Sequence, residues 1–343
     1  MLLAERVPAY LVELKVNRTK VLNFVDPAQY AASIRSADIE IFPTAKGEFR
    51  SQLTQVTLDR LWMQRFEETL PRIHRGRVTA TRKVFTFLTE DQPEVYNRGR
   101  LFSLGDLCAH DHDMQHVVTT GKYRLGGVSL AVKELAEACS SMMGFEFDPQ
   151  QRTRFLRPAP DLMKRFLDLH AIAGAFAKTA PELLEVPEVI RAIEHQLVYA
   201  LLRCVADCNV SASKDGGLRH GTIVARFEDF IDANPNTPLY LDEICSAIGV
   251  AERTLRVVCE EHLGMGPIRY LTLRRMHLVH RALGQAAPDC ATVTQIATTH
   301  GFWELGRFSV AYRNLFGEPP LATLRRREDF RSRNIDRPSQ LVS

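Results

Sequence analysis

The sequence predicts an α+β chain of several domains: a strand-rich N-terminal barrel or sandwich, a helical connector, and an all-α C-terminal domain made of two helix-turn-helix units. Three observations predict this. The chain has 343 residues, beyond the roughly 250–300 at which a single core stops growing. Its hydrophobic period changes along the chain from two residues to 3.6. One helical pattern near the C-terminus occurs twice.

From about residue 20 to 130, "FRSQLTQVTLDRLWMQRFEE", "RVTATRKVFTFLTE" and "RGRLFSLGDL" are rich in β-branched and aromatic residues in rough alternation, the signature of half-buried strands. Lys46-Gly47, Arg98-Gly99 and Gly126-Gly127 read as the turns between them. An antiparallel sandwich or small barrel is the expected result. From about 131 to 210 the period is helical, and Val189, Ile193, Leu197 and Leu201 form a stripe more apolar than a lone surface helix needs. That stripe is a candidate dimerisation face, with packing against the chain's own barrel as the alternative. "NVSASKDGGLRHG" then reads as a linker.

After the linker only helices are expected. "TPLYLDEICSAIGV" closes on Gly249, and "ERTLRVVCEEHLGMGP" restarts at once, so two helices joined by a tight turn make one helix-turn-helix. Leu241, Ile244, Gly249 and Val250 recur as Val293, Ile296, Gly301 and Phe302; Leu255, Cys259, Leu263, Gly264 and Pro267 recur as Phe308, Tyr312, Phe316, Gly317 and Pro320. The second set is shifted by one residue more than the first, which places one extra residue in the second turn. "IRYLTLRRMHLVHRAL" between the units supplies a helix that fixes their separation. On a helical projection Phe308, Ala311, Tyr312, Leu315 and Phe316 face the core. Outward lie Arg253, Thr254, Arg256, Val257 and Glu260 on one unit and Gly306, Arg307, Ser309, Val310 and Arg313 on the other. Small, polar and arginine side chains suit a helix that enters a major groove about 12 Å wide.

Charge supports this geometry. The formal net charge is only +3, yet residues 251–327 hold eleven arginines and no lysine against six acids. Arginine is the residue for bidentate contacts to phosphate and guanine. Arg313, Arg325 and Arg326 are candidate DNA-backbone contacts. No uncharged apolar run of about 18 residues exists to span a membrane, and the N-terminus lacks the pattern of a secretory signal. Seven cysteines without a C-x-x-C pair fit a reducing compartment, so a cytoplasmic location is expected.

At these residues the chain resembles the AraC/XylS family of bacterial transcription regulators, through the paired units and above all "GF…RFS…YR…FGE.P" in the second. The resemblance implies base reading by Arg253, Thr254, Arg256 and Val257 in one groove segment and by Gly306, Arg307, Ser309 and Val310 in the next. Many members carry Arg where this chain has Val257 and Val310, where a valine touches a thymine methyl instead. Outward-facing Glu260 either accepts from a cytosine amine or, the preferred reading, lies beyond the duplex. "FVDPAQYAASI", "FPTAKGEFRSQLTQVTLDRLWMQRFEE" and "GDLCAHDHDMQH" look like the cupin-like sensor of the subgroup with XylS-type and ethanolamine-utilisation regulators. The implied organisation is a cupin-like effector-sensing domain over 1–160, a helical connector over 161–219, the double helix-turn-helix over 220–327 and a polar tail over 328–343. The implied partners are promoter DNA, RNA polymerase, a small-molecule effector and a second copy of the chain, with activation as the expected output.

"HDHDMQH" places His110, His112 and His116 close together, and in a strand His110, His112 and Met114 would share a face. A cupin-type metal enzyme fused to a DNA-binding domain is therefore the alternative. No nucleophile elbow, phosphate loop or dinucleotide fingerprint accompanies it, so no catalytic residue, cofactor or metal site is assigned and an enzyme is not expected. Trp303 in the second turn reads either as a wedge that stacks on DNA or, the preferred reading, as core behind the turn, since Phe302 before it matches the apolar Val250.

Overall fold

The computed structural model describes residues 18–144, 146, 153–208, 215–234, 239–287 and 289–325, with backbone only for 215–219. Arg326 and the polar tail lie outside the described residues, as do residues 209–214 of the expected linker; its remaining residues, 215–221, are the start of a helix and not a linker.

Two antiparallel sheets face each other. One holds β1 (Thr19–Phe24), β3 (Ser51–Thr57), β4 (Trp62–Glu68), β11 (Tyr123–Ala131), β6 (Arg82–Leu88), β9 (Leu107–Ala109) and β12 (Arg154–Leu156), in that order across the sheet. The other runs β2 (Ala37–Pro43), β5 (Arg72–Val78), β10 (Gln115–Thr119), β7 (Val95–Asn97) and β8 (Arg100–Phe102). Leu53, Phe66, Val95, Phe102, Val117, Tyr123 and Leu125 fill the space between them, as period-two alternation requires of inward-facing positions. Arg98 and Gly99, at φ 55° and 74°, make the tight β7–β8 hairpin turn that the dipeptide predicted.

Gly126-Gly127 is a correction. The pair lies inside β11, not in a turn. Its role is close approach: a Cβ on Gly126 would stand 2.2 Å from the Phe87 ring and 2.8 Å from His170 Cε1. The Phe87 ring, from β6, and His170 meet on the outer side of the larger sheet, where α3 (Pro160–Thr179) and α4 (Pro187–Asp207) pack after the short helices α1 (Pro27–Ser33) and α2 (Val132–Ala138).

The stripe on α4 is a second correction. Leu197 and Leu201 are fully buried against Met63, Phe85, Phe87 and Phe166 of the same chain, and Ile193 packs beside them. Val189 is half-buried at the start of the helix. The face proposed for a second copy is thus covered from within. Glu194, also on α4, fixes the layer by accepting from the backbone N–H groups of Arg60 at 2.6 Å and Leu61 at 3.1 Å.

The smaller sheet carries the helical domain on its outer face. There α5 (Asp215–Ala233), α6 (Leu241–Ile248) and α7 (Glu252–Leu263) close a core with Phe42 and Ile73 of the sheet. The turn between α6 and α7 passes through Gly249 at φ 68°, a left-handed value that favours glycine. Central helix α8 (Pro267–Gln285) joins this core through Tyr270, Leu271 and Leu273, and a second core through Met276, Val279 and Leu283. The second core belongs to α9 (Val293–Thr299) and α10 (Leu305–Phe316), with Phe308 and Tyr312 buried in it. The turn spans 249–251 in the first unit and 300–304 in the second.

Substitutions at two glycines separate close packing from propensity. Gly126→Ala should destabilise the chain by about 1–3 kcal/mol through overpacking. Gly284→Ala, in α8 where nothing lies within 4 Å of the new methyl, should stabilise it by about 0.5–1 kcal/mol. Urea midpoints of the two variants check both signs.

Candidate nucleic-acid interface

The exposed face of each second helix matches the outward set read from sequence. On α7, Arg253, Thr254, Arg256, Val257 and Glu260 are exposed, while Leu255, Val258 and Cys259 are buried. On α10, Gly306, Arg307, Ser309, Val310 and Arg313 are exposed. Val257 and Val310 keep 53% and 62% of their surface in solvent, which leaves two methyl-bearing side chains free for an apolar contact. Arg325 is exposed at the end of the helical turn over 320–325. Ala311 is exposed too, contrary to the sequence reading; the buried stripe of α10 is narrower than projected.

Two of the arginines have partners on their own helices. Arg256 Nε donates to Glu252 Oε1 at 2.8 Å, and Arg307 Nη1 lies 2.8 Å from Glu304 Oε2. Exposed pairs of this kind are worth less than about 1 kcal/mol, so they align the guanidinium groups at little cost to later contacts. α8, with 19 residues, sets the two units apart over about 28 Å.

Trp303 is 70% exposed rather than buried. The longer second turn explains the difference. Phe302 takes the inward place, with its ring centroid 5.0 Å from that of Phe308 and the Arg275 guanidinium over its face at 5.4 Å. The next residue then points outward.

The histidine cluster does not form a metal set. Residues 110–114 lie between β9 and β10 rather than in a strand. His110 points between the sheets and lies 2.7 Å from Thr86 Oγ1, His112 is exposed, and His116 points through the opposite face of the smaller sheet.

That opposite face carries what sequence reasoning missed. Along β5, Arg72 and His74 line a cavity of about 80 Å³ between the sheets. Ile73, Arg75 and Arg77 alternate with them and face the helical domain. On β10 Gln115 and Val117 line the cavity, and His116 and Val118 face the helices. The outward set converges on Glu228 of α5, which is fully buried. Its carboxylate accepts from Arg75 Nη1 at 2.5 Å and Tyr270 Oη at 2.6 Å, with His116 Nε2 at 3.2 Å. Beside it Asp232 accepts from Arg75 Nη2 at 2.9 Å and from Arg274. Burial raises the Glu228 carboxyl, but the hydrogen bond and charge of His116, then Arg75 and Tyr270, outweigh it and hold the group down to about 2. The partners are 153 residues apart for Arg75 and 112 for His116; the only sequence trace of the contact is the basic alternation in "RIHRGRV".

In the cavity itself Arg72 Nη1, His74 Nδ1, Asn97 Oδ1 and Gln115 Oε1 have no partner. Arg72 is otherwise held by Glu68, with Nη2 donating to Oε1 at 3.0 Å, and lies over the Tyr123 ring at 4.4 Å. Donors and acceptors without partners in a small enclosed space can hold a compact polar molecule.

A family model described as a helix-turn-helix domain matches residues 244–326. A Pseudomonas putida XylDLEGF operon transcriptional activator is 27% identical over 131 residues, covering 38% of this chain and 83% of that protein. Residues 244–326 thus match a helix-turn-helix domain, and the relatives this chain resembles are regulators of transcription. A probable thc operon regulatory protein of Rhodococcus erythropolis is 35% identical over 103 residues, 30% of this chain, so the match spans 31% of that relative's length. A crystallised AraC-type regulator from Chromobacterium violaceum is 28% identical, covers 33% of this chain and 96% of its own, and superposes with a TM-score of 0.29.

Breaking the buried contact should be costly. Glu228→Ala should destabilise by about 3 kcal/mol, the low end for an opened buried pair, because Arg75 keeps Glu40 and Asp232. Asp229→Ala, which removes only the exposed Arg77 pair at 3.4 Å, should change stability by less than about 0.5 kcal/mol.

Acid should act in two stages. His110 and His277 are pushed down to about 4 by burial, from an ordinary 6.5. The unfolded chain therefore takes up these protons first, and stability should fall as pH drops from 6.5 towards 4. The contribution of Glu228, complete above its ordinary 4.5, is lost as pH falls further towards 2. Urea midpoints at stepped pH check this; a flat response between pH 6.5 and 5 would contradict it.

Proposed function

We propose that this chain is a sequence-specific, effector-controlled activator of transcription, in which Arg253, Thr254, Arg256 and Val257 read one major-groove segment and Gly306, Arg307, Ser309 and Val310 the next. Arg313 and Arg325 hold the phosphate backbone, and Arg326 is assigned there from sequence alone. The observation that carries the reading is the paired exposed faces of α7 and α10, each small, polar and arginine-bearing, mounted on one rigid helix. The relatives named as activators support activation, and contact with RNA polymerase is the route that activation implies.

The effector's place is the cavity between the sheets. A compact polar molecule there would offer an acceptor to Arg72 Nη1 and a donor to Asn97 or Gln115. Because β5 and β10 line the cavity with one face and grip α5 with the other, a ligand that shifts either strand changes how α5, and so the first reading unit, is held. A coupling of about 1–3 kcal/mol between effector and DNA is expected for such a link.

The base-reading assignment is tested by Arg253→Ala. Binding to the cognate promoter should weaken by about 1–3 kcal/mol while binding to random DNA is nearly unchanged, since a bidentate base contact discriminates and a phosphate contact does not. Equal losses on both DNAs, measured by fluorescence anisotropy at fixed salt, would place Arg253 on phosphate instead.

A further inference from the structure

His220 on α5 and the neighbouring pair Glu261 and His262 at the end of α7 bring one ligand atom each to within 4.8 Å of one another. They come together because α5 and α7 pack side by side across the first core. Glu261 accepts at 2.6 Å from His220 Nδ1. His262 is 2% exposed, and its Nε2 is buried without a partner. A buried imidazole nitrogen that finds no hydrogen bond is costly to keep, and here it stands beside two further ligand-type side chains.

We propose that His220, Glu261 and His262 form a binding site for a divalent transition ion of the zinc type. Two imidazoles and one carboxylate are a three-ligand zinc set, with water completing a tetrahedron. Ligand atoms about 2.0–2.2 Å from zinc stand roughly 3.3 Å apart. The His220–Glu261 pair must therefore open slightly and His262 close in. His220 is half-buried and Glu261 exposed, so their side chains can turn and the ion has a way in. Burial holds His262 down to about 4, which keeps its ring neutral and its lone pair available at pH 7. The site also lies at the C-terminal end of α7, the negative end of the helix dipole. Arg98, facing the cluster from the β7–β8 turn, opposes a cation; Asp113, 3.8 Å from it, offsets part of that charge.

The ion would tie α5, the helix that holds the barrel, to the last turn of the helix that carries Arg253 and Val257. The inference does not depend on DNA being the partner of that helix.

The test uses the full chain stripped of metal by chelator and dialysis, titrated calorimetrically with zinc chloride. One ion per chain should bind and raise Tm, and His220→Gln and Glu261→Gln should each weaken binding by at least about tenfold while keeping the circular-dichroism spectrum of the parent. Binding that fails to saturate at one ion per chain, or that is unchanged in both variants, would overturn the site; the second outcome would place the ion elsewhere, as at the exposed His112 loop. Cobalt(II) added to the unaltered chain gives a reading independent of any variant. Intense tetrahedral ligand-field absorption is expected, and the weak spectrum of an octahedral aquo ion would overturn the proposal.

Discussion

One carboxylate, Glu228, has to be ionised inside the protein, and much of the architecture derives from that requirement. A buried charge is tolerated only when paired and hydrogen-bonded. Its partners come from the barrel as Arg75 and His116, and from the central helix as Tyr270. Those three side chains can meet only if β5, β10, α5 and α8 are assembled together. The first helix-turn-helix unit is thus docked on the smaller sheet through a polar centre surrounded by Phe42, Ile73, Phe227 and Leu263. Apolar burial supplies adhesion, and the charge set fixes which arrangement is adopted.

The consequence is a difference between the two helix-turn-helix units. The first shares a core with the barrel, whereas the second has a core of its own around Met276, Phe308 and Tyr312. His277 adds one further tie from α8 to the barrel, through the Pro43 carbonyl at 2.9 Å. Movement at the sheet therefore reaches α7 through a shared core, while α10 meets the sheet only at its C-terminal end among the described residues, where the His277 ring lies 5.5 Å from Phe42 and 5.1 Å from Phe316. A strand whose alternate residues face a cavity and a neighbouring domain is a short and stiff path between the two.

The paired helical units were legible in the sequence because they depend on local spacing: glycine at the turn, apolar residues at helical period, and the same pattern twice. The strands of the N-terminal half were legible from alternation. The features that were not legible depend on distant neighbours. Gly126-Gly127 has the composition of a turn, and only the Phe87 ring and the α3 layer reveal why a straight strand needs glycine there. Leu197 and Leu201 show an apolar stripe, and a stripe does not say whether its cover is a partner or the chain's own sheet. Trp303 escapes a reading by spacing because the second turn spans 300–304 against 249–251 in the first, and Phe302 alone takes the inward place. Arg75, His116 and Glu228 carry no local pattern that brings them together, and the cavity polar groups Arg72, Asn97 and Gln115 come from three separate strands.

Barrel and first helix-turn-helix unit form one mechanical body held at Glu228. Hydrogen–deuterium exchange on the full chain carrying Arg75→Ala tests it most directly. Faster exchange is expected in β5 and β10 and, in step with them, in α5 and the C-terminal half of α7, with α9 and α10 unchanged. Exchange in α5 and α7 that stays at the level of the unaltered chain while β5 loosens would contradict it.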